Sequence, residues 1–323
     1  MTEIKIGDGT KILDLYNNPI EKLPNIFVGQ NVVALRIHGL FGDCIKATTV
    51  LSELIREDST RKYVILISYN DATKAHMVAD LFKDVQKTGL LLGLFLNETR
   101  HIGNMTYFQY EFLRKLGCQQ ITDLYYYNTS LYQHFSGDPF LGFKQPQSKP
   151  NKVALLRYSG FHQHAPLRHI PEKEWIMIEE HLLKLNLDVH LYGYDDEYKT
   201  LVKPENDHRK KLSILETIKH AANANLCIST TTFLPLYLHH YVPCLVFADP
   251  IDMQLLQLRW RSNHNYMPID TQKKDHVHYV LNYVSTWALA QMNVQHMLAG
   301  MAASASPKAI EETVREEIKN GGN

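Results

Sequence analysis

The chain of 323 residues is short of several things, and each shortage excludes a class of function. Lys plus Arg and Asp plus Glu both number 34, so the formal net charge is zero. No global positive field is available to coat a polyanion, although a local basic patch is compatible with this composition. Cysteine is scarce: Cys44, Cys118, Cys227 and Cys244 lie far apart, with no zinc-ligand or redox spacing. They are expected to be small buried hydrophobes in a reducing compartment. Long apolar runs are missing as well. The longest, Leu90 to Leu96, is too short for a bilayer and reads as a buried strand. The opening MTEIKIGDGT lacks a basic region followed by an apolar core, which predicts no signal peptide and a cytoplasmic location. Peripheral membrane contact stays open. There is no repeat of solenoid length and no low-complexity tract.

What is present is an ordinary globular composition, 45% apolar and 21% charged. The length suits about two domains. The clearest break is Ser136 to Asn151, where three prolines and two glycines interrupt both periodicities. On each side of it, strand patterns alternate with helix patterns. The first half shows Val32–Ile37 and Tyr63–Ser68 as strands, each followed by an apolar stripe at helical spacing. The second half restarts at Lys152–Arg157 and continues with strands at Leu187–Tyr192, Leu226–Ser229 and Cys244–Phe247. A stripe of Trp175, Ile178, Leu182 and Leu185 marks a helix, and Ser213 to Glu216 has capping-box spacing. Such alternation predicts an α/β fold of two Rossmann-like, doubly wound domains facing across a cleft. The expected division is 1–148, with 1–31 an extension or an added edge element, 149–305, and a terminal helix over 306–323 packing back on the first domain. The segment 251–305, rich in Met and Ala, gives no clear reading.

Four constellations can carry chemistry. Arg36-Ile-His-Gly-Leu-Phe-Gly-Asp43 ends a strand and turns into a helix. Gly39 and Gly42 permit close approach of a ligand, and Asp43 is either a general base or a helix N-cap. The turn lacks the Gly-x-Gly-x-x-Gly dinucleotide fingerprint. Tyr158 to Arg168 follows the first strand of the second half. There Ser159 and Gly160 can donate to phosphate, and Arg168 can hold it bidentately. His162 and His164 in that loop lack a convincing third metal ligand, so no metal is expected. Gly193-Tyr-Asp-Asp-Glu197 places a carboxylate after a strand, where it can accept from ribose hydroxyls or simply suit a helix dipole. Ser229-Thr-Thr-Thr-Phe-Leu-Pro235 ends a strand in hydroxyls and opens a helix, an anion-binding or capping arrangement.

At these residues the sequence resembles the heptosyltransferase family, bacterial enzymes of lipopolysaccharide core synthesis with the GT-B fold, from about residue 32 to 250. Gly42-Asp43 matches the family's Gly-Asp, and Thr48-Thr49 stands near its Thr-Pro. Arg168-His-Ile-Pro171-Glu-Lys-Glu-Trp175 is similar to its Lys-x-Trp-Pro-x-x-x-Trp, with Ile170 in place of the first Trp. Gly193 and Glu197 match its Gly-x-x-x-Glu. The resemblance implies Asp43 as base and Glu197 as the ribose ligand. One departure matters: where the family has Asp-Thr-Gly and then a His, this chain has Thr230, Thr231, Thr232 and Pro235. The family's own donor, ADP-heptose, is therefore not inferred.

The expected function is inverting, metal-independent transfer of a sugar from a nucleotide-sugar donor to an acceptor hydroxyl on a glycan or lipopolysaccharide-type acceptor, with no cofactor. Asp43 is the base; Ser159, Gly160, Arg168, Gly193, Glu197, Thr230, Thr231 and Thr232 hold the donor. His38, Gly39, Gly42, Arg100 and His101 line the acceptor side. Two alternatives stand beside it: a phage-type enzyme glycosylating hydroxymethylated bases in DNA, and a non-enzymatic nucleotide- or glycan-binding module, which the missing Asp and His favour.

Overall fold

Runs of Val, Ile and Leu buried on both faces build strands that need cover on two sides, and the chain forms two such sheets. The computed structural model describes residues 3–5, 11–14, 31–38, 51, 54–69, 79–82, 91–97, 107–123, 149–157, 170–193, 199–248 and 265–304. The first sheet holds β1 (Glu3–Lys5), β2 (Lys11–Asp14), β3 (Val32–His38), β4 (Lys62–Tyr69), β5 (Leu91–Asn97) and β6 (Gln120–Asp123). Their order is β1-β2-β5-β4-β3-β6. The four later strands run parallel, whereas β1 and β2 add an antiparallel edge against β5. Residues 1–31 thus contribute two edge strands, one of the two expectations for that segment. Leu91–Asn97 is the strand expected from the longest apolar run.

The second sheet is wholly parallel, in the order β11-β10-β9-β7-β8. Its strands are β7 (Lys152–Leu156), β8 (Asp188–Tyr192), β9 (Leu226–Thr230), β10 (Cys244–Ala248) and β11 (Tyr266–Asp270). The helices are α1 (Tyr107–Lys115), α2 (Glu172–Lys184), α3 (Ile214–Ala221), α4 (Phe233–Leu238) and α5 (His276–Ser304). The capping box is present at α3: Ser213 Oγ accepts from the Glu216 N–H, and the Glu216 carboxylate accepts from the Ser213 N–H.

Helices cover the two faces of the second sheet differently. On one face α2 and α5 bury Trp175, Ile178, Leu182, Val280, Val284 and Trp287 against Val153, Leu155, Leu191 and Phe247. On the other, α3 and α4 bury Ile214, Ile218, Leu234 and Leu238 beside Ala154, Leu156 and Val246. That second cluster continues to Val33, Leu35, Ile65 and Ile67 of the first sheet. Each aliphatic side chain so buried contributes roughly 1.5–3 kcal/mol. Cys118, Cys227 and Cys244 are buried free thiols, as expected; burial raises the Cys118 thiol to about 12. Cys44 lies outside the described residues.

Four elements were not anticipated: α1, β6, β11 and α5. The long α5 resolves part of the segment that gave no reading. It is tied to α2 by His276 Nε2 to Glu174 Oε2 at 2.9 Å and by His181 Nε2 to Ser285 Oγ at 2.8 Å. Of the helical stripe expected after Tyr63–Ser68, the described part is Ala79 and a 3-10 turn, Asp80–Phe82, with Leu81 and Phe82 buried. The terminal helix expected over 306–323 lies outside the described residues. Among the described residues no helix is long and apolar enough to cross a membrane.

Candidate active site

In an open α/β sheet, ligands bind outside the carboxyl ends of the strands where the strand order reverses. Both sheets have such a point. In the first, β4 lies on one side of β3 and β6 on the other, so the reversal falls at the end of β3, which is His38. Arg36 is 1% exposed there and stands opposite Asp123 in the β3–β6 register. The residues that follow, with Gly39, Gly42 and Asp43, lie outside the described residues, as do Arg100 and His101.

In the second sheet, β8 lies on one side of β7 and β9 on the other. The reversal therefore falls between the end of β7, after Leu156, and the end of β9, at Thr230. The sequence places Ser159 and Gly160 directly after the first of these and Thr231 and Thr232 directly after the second. Ser159, Gly160, Arg168 and Glu197, together with His162 and His164, lie outside the described residues.

The β9 end is described in full. Thr230 is buried, and its Oγ1 makes no hydrogen bond among the described residues. Thr231 is anchored across the sheet, its N–H donating to the Phe247 carbonyl at 3.1 Å and its hydroxyl to the same oxygen at 3.3 Å. Ser229 Oγ donates to the Thr230 carbonyl at 2.7 Å and stands 3.3 Å from Thr232 Oγ1. Thr232 is the N-cap residue of α4 but makes no side-chain cap bond. Ordinary capping by Thr232 is thus not what the hydroxyl does. The first N–H groups of a helix have no partner within it. Pro235, third in α4, removes one of those donors without breaking the helix, as its place in the first turn requires. His239 follows α4 but is wholly buried, its Nδ1 bonded to the Pro235 carbonyl at 2.9 Å. It does not replace the family's missing histidine at the helix start.

Gly193 follows β8 with φ +128°, and a Cβ there would stand 2.8 Å from the Arg157 carbonyl oxygen. Only glycine fits. Its carbonyl accepts from the Lys210 N–H at 2.9 Å. The residue matched to the Gly of Gly-x-x-x-Glu therefore has a backbone reason for its identity.

The structure adds two residues that sequence reasoning missed. Arg157, the residue after β7, is 3% exposed and pairs with Glu179, which is fully buried on α2, at 2.8 Å. Arg157 also donates to the Lys199 carbonyl at 2.9 Å. Glu179 accepts from the Thr200 hydroxyl and the Leu201 N–H, both at 2.8 Å. The pair thus pins the end of β7 to the residues just past Glu197. A charged residue at the end of a buried strand, and a Glu inside the Trp175–Ile178–Leu182 stripe, were the available signals.

Two other features lie away from the strand carboxyl ends. A cavity of about 550 Å³ is lined by Asn225, His240, Tyr241, Pro243 and Trp287, at the amino ends of β9 and β10. Among the described residues one group has metal-ligand geometry: His190, His208 and His220.

No family model and no curated protein matches the sequence. Solved structures do match. E. coli ADP-heptose lipopolysaccharide heptosyltransferase II is 8% identical, with 81% of this chain and 100% of that chain covered at a TM-score of 0.50. E. coli heptosyltransferase WaaC with ADP-2-deoxy-2-fluoro heptose is 14% identical over 79% of this chain and 99% of that chain, with a TM-score of 0.42. The iron-containing dodecameric glycosyltransferase TibC of enterotoxigenic E. coli H10407 is 13% identical over 68% of this chain, with a TM-score of 0.44, and the chain spans 58% of its length. Identities this low establish likeness of fold: the chain has the α/β fold of heptosyltransferase II.

Proposed function

We propose that the chain is an inverting, metal-independent glycosyltransferase that moves a sugar from a nucleotide-sugar donor to an acceptor hydroxyl on a glycan or lipopolysaccharide-type molecule. One observation carries most of the weight. The strand order of the second sheet reverses between β7 and β9, and there the chain supplies Ser159-Gly160 on one side and the Thr231-Thr232 helix start on the other. Heptosyltransferase II, which has this fold, is named for an ADP-heptose substrate, and WaaC is named with ADP-2-deoxy-2-fluoro heptose bound.

In this reading the donor diphosphate lies across the reversal point. Arg168 holds it bidentately, and Ser159, Gly160 and the N–H groups at the start of α4 donate to it. Glu197 accepts from the ribose, in a segment whose far end the Arg157–Glu179 pair secures. Gly193 lets the ribose-side backbone pass against β7 without a side chain between. Asp43 takes the proton of the acceptor hydroxyl. The acceptor oxygen attacks the anomeric carbon from the face opposite the diphosphate, and the bond to the departing phosphate oxygen breaks with inversion. Fixed cations and oriented dipoles stabilise the leaving diphosphate, so this step draws on no metal. His38, Gly39 and Gly42, at and after the end of β3, and Arg100 and His101, after β5 in sequence, belong to the acceptor side.

A thermal-shift panel of nucleotides and nucleotide sugars tests the donor half, because a ligand of the folded state raises its apparent stability. Transfer assays with the stabilising donor test the whole. Asp43→Ala should abolish transfer and leave donor binding intact; full turnover in that variant would refute the assignment. A panel in which no nucleotide shifts the melting temperature would refute the donor site.

A further inference from the structure

The second sheet carries three imidazoles that the transfer reaction does not use. His190 is on β8, the edge strand; His208 is on the segment between β8 and α3; His220 is in the last turn of α3. One ligand nitrogen from each lies within 4.8 Å of the other two. We propose that these three histidines bind one divalent transition-metal ion of the zinc class, stapling the edge strand to the helix that covers it.

The orientation of the rings supports this. His190 Nε2–H donates to Asp188 Oδ2 at 3.0 Å, so its Nδ1 carries the free lone pair. That Nδ1 faces His208 Nε2 at 3.0 Å. Two nitrogens bound to one tetrahedral zinc, at about 2.0–2.1 Å each, stand about 3.3 Å apart, so this pair needs little movement. A tautomer shift in His208 frees its Nε2 lone pair, and the two rings, 9° from parallel, then tilt so that both lone pairs converge on the ion. The His220 ring lies 4.3 Å from that of His208, and Tyr192 OH, 2.8 Å from His220 Nδ1, holds it in place. Nε2 is the remaining nitrogen of His220.

Asp188 is the carboxylate behind a ligating histidine, the outer partner that fixes tautomer and raises basicity in metal sites. A neutral imidazole is the form that binds a metal. Lys152, buried nearby and bonded to the His220 carbonyl at 2.8 Å and Asn223 Oδ1 at 2.6 Å, sets a positive charge against the site, and Lys149 and Lys211 act in the same direction. Three neutral nitrogens suit zinc, cobalt or nickel and not magnesium or calcium, which prefer oxygen. His220 is exposed, which leaves a fourth position for water. The ion would join three separate stretches of chain and act as a structural staple, apart from the strand carboxyl ends where the donor is placed.

The test uses the untagged full chain, stripped with chelator. Zinc titrated by calorimetry should bind once per chain, and cobalt should give the visible absorbance of a nitrogen-ligated site. At a hundredfold excess over Kd, zinc should raise Tm by roughly 5–10 °C. His220→Gln, at the exposed end of α3, should weaken zinc at least tenfold, and Asp188→Asn roughly tenfold or more. His181→Ala, a histidine outside the cluster, should leave affinity unchanged. Wild-type chain that takes up no stoichiometric zinc, or His220→Gln that binds it as tightly as wild type, would overturn the proposal.

Discussion

The two faces of the second sheet bury polar groups in opposite ways. Under α2, Arg157 and Glu179 form a buried charged pair that is bonded further to the Lys199 carbonyl, the Thr200 hydroxyl and the Leu201 N–H. Under α3, His190, His208 and His220 lie together as neutral rings, with a carboxylate at one end and a phenol at the other. A charged pair sealed from water commits the chain to one arrangement, because removing either partner strands the other. Neutral imidazoles commit to less: they can share protons, change tautomer or take a cation. The first arrangement suits a strand end that must hold a ligand loop still. The second suits an edge that can be reinforced from outside.

Breaking the charged side should have the largest effect. Glu179→Ala leaves the Arg157 guanidinium buried beside two orphaned donors, and about 3–5 kcal/mol of stability should be lost, read from urea midpoints. Replacing both partners, Arg157→Met with Glu179→Leu, should lose distinctly less, because no charge is left unpaired. Equal losses in single and double variants would mean that packing, not charge, explains the cost.

The neutral side should answer to acid. His239, a fully buried ring, has its pKa lowered by burial from 6.5 to about 3. Between those values the unfolded chain holds a proton that the folded chain does not, so stability falls as pH drops from about 6.5 toward about 3. Burial lowers His190, His208 and His220 too, and they add in the same direction. His239→Gln keeps an N–H for the Pro235 carbonyl and removes one titration. Its stability should therefore decline less steeply than wild type between about pH 6.5 and 4.5. The lowered carboxylates, Asp58, Asp188, Asp207 and Glu216, contribute mainly below that window.

This division was only partly legible in the amino-acid sequence. Strands read clearly where apolar runs are continuous, as in Val32–His38 and Leu226–Thr230, because burial on both faces demands it. The Ser213–Glu216 box read directly because its logic is local. Strand β11, Tyr266–Asp270, did not, since Pro268 and Asp270 dilute its apolar signal. Helix α5 did not either: apolar residues go round most of it, so no single stripe stands out. Among site residues, Gly193 was singled out for its place after a strand, and its φ and the Arg157 carbonyl supply the cause. The imidazole cluster was invisible for a different reason. Adjacency in sequence drew notice to His162 and His164, whereas His190, His208 and His220 come together only through the sheet edge and its helix.

Gly193 lies where the two polar arrangements meet, against the Arg157 carbonyl on one side and bonded to Lys210, near His208, on the other. Gly193→Ala imposes both a left-handed φ on a residue with a Cβ and a 2.8 Å contact with backbone. The expected loss is about 1–3 kcal/mol. If the strand end couples the faces, zinc affinity and nucleotide affinity should both fall in this variant. A drop in one alone would show that the two faces are independent.

The smallest effect belongs to the cap of α3. Ser213→Ala removes one side of the capping box and should lose about 1 kcal/mol. Its value lies in where the loss appears. Helix α3 carries His220 in its last turn but makes no contact with the Arg157–Glu179 pair in the bonds described above. Hydrogen exchange should therefore rise along residues 214–221 and stay near wild type along α2, if the two faces open separately. Zinc should restore protection in α3 in proportion to its occupancy, since the metal would hold the far end of the same helix. Exchange that rises equally in α2 and α3 would instead mark the sheet and both covers as one cooperative unit, and the contrast between a committed face and an adaptable one would then be local chemistry without separate motion.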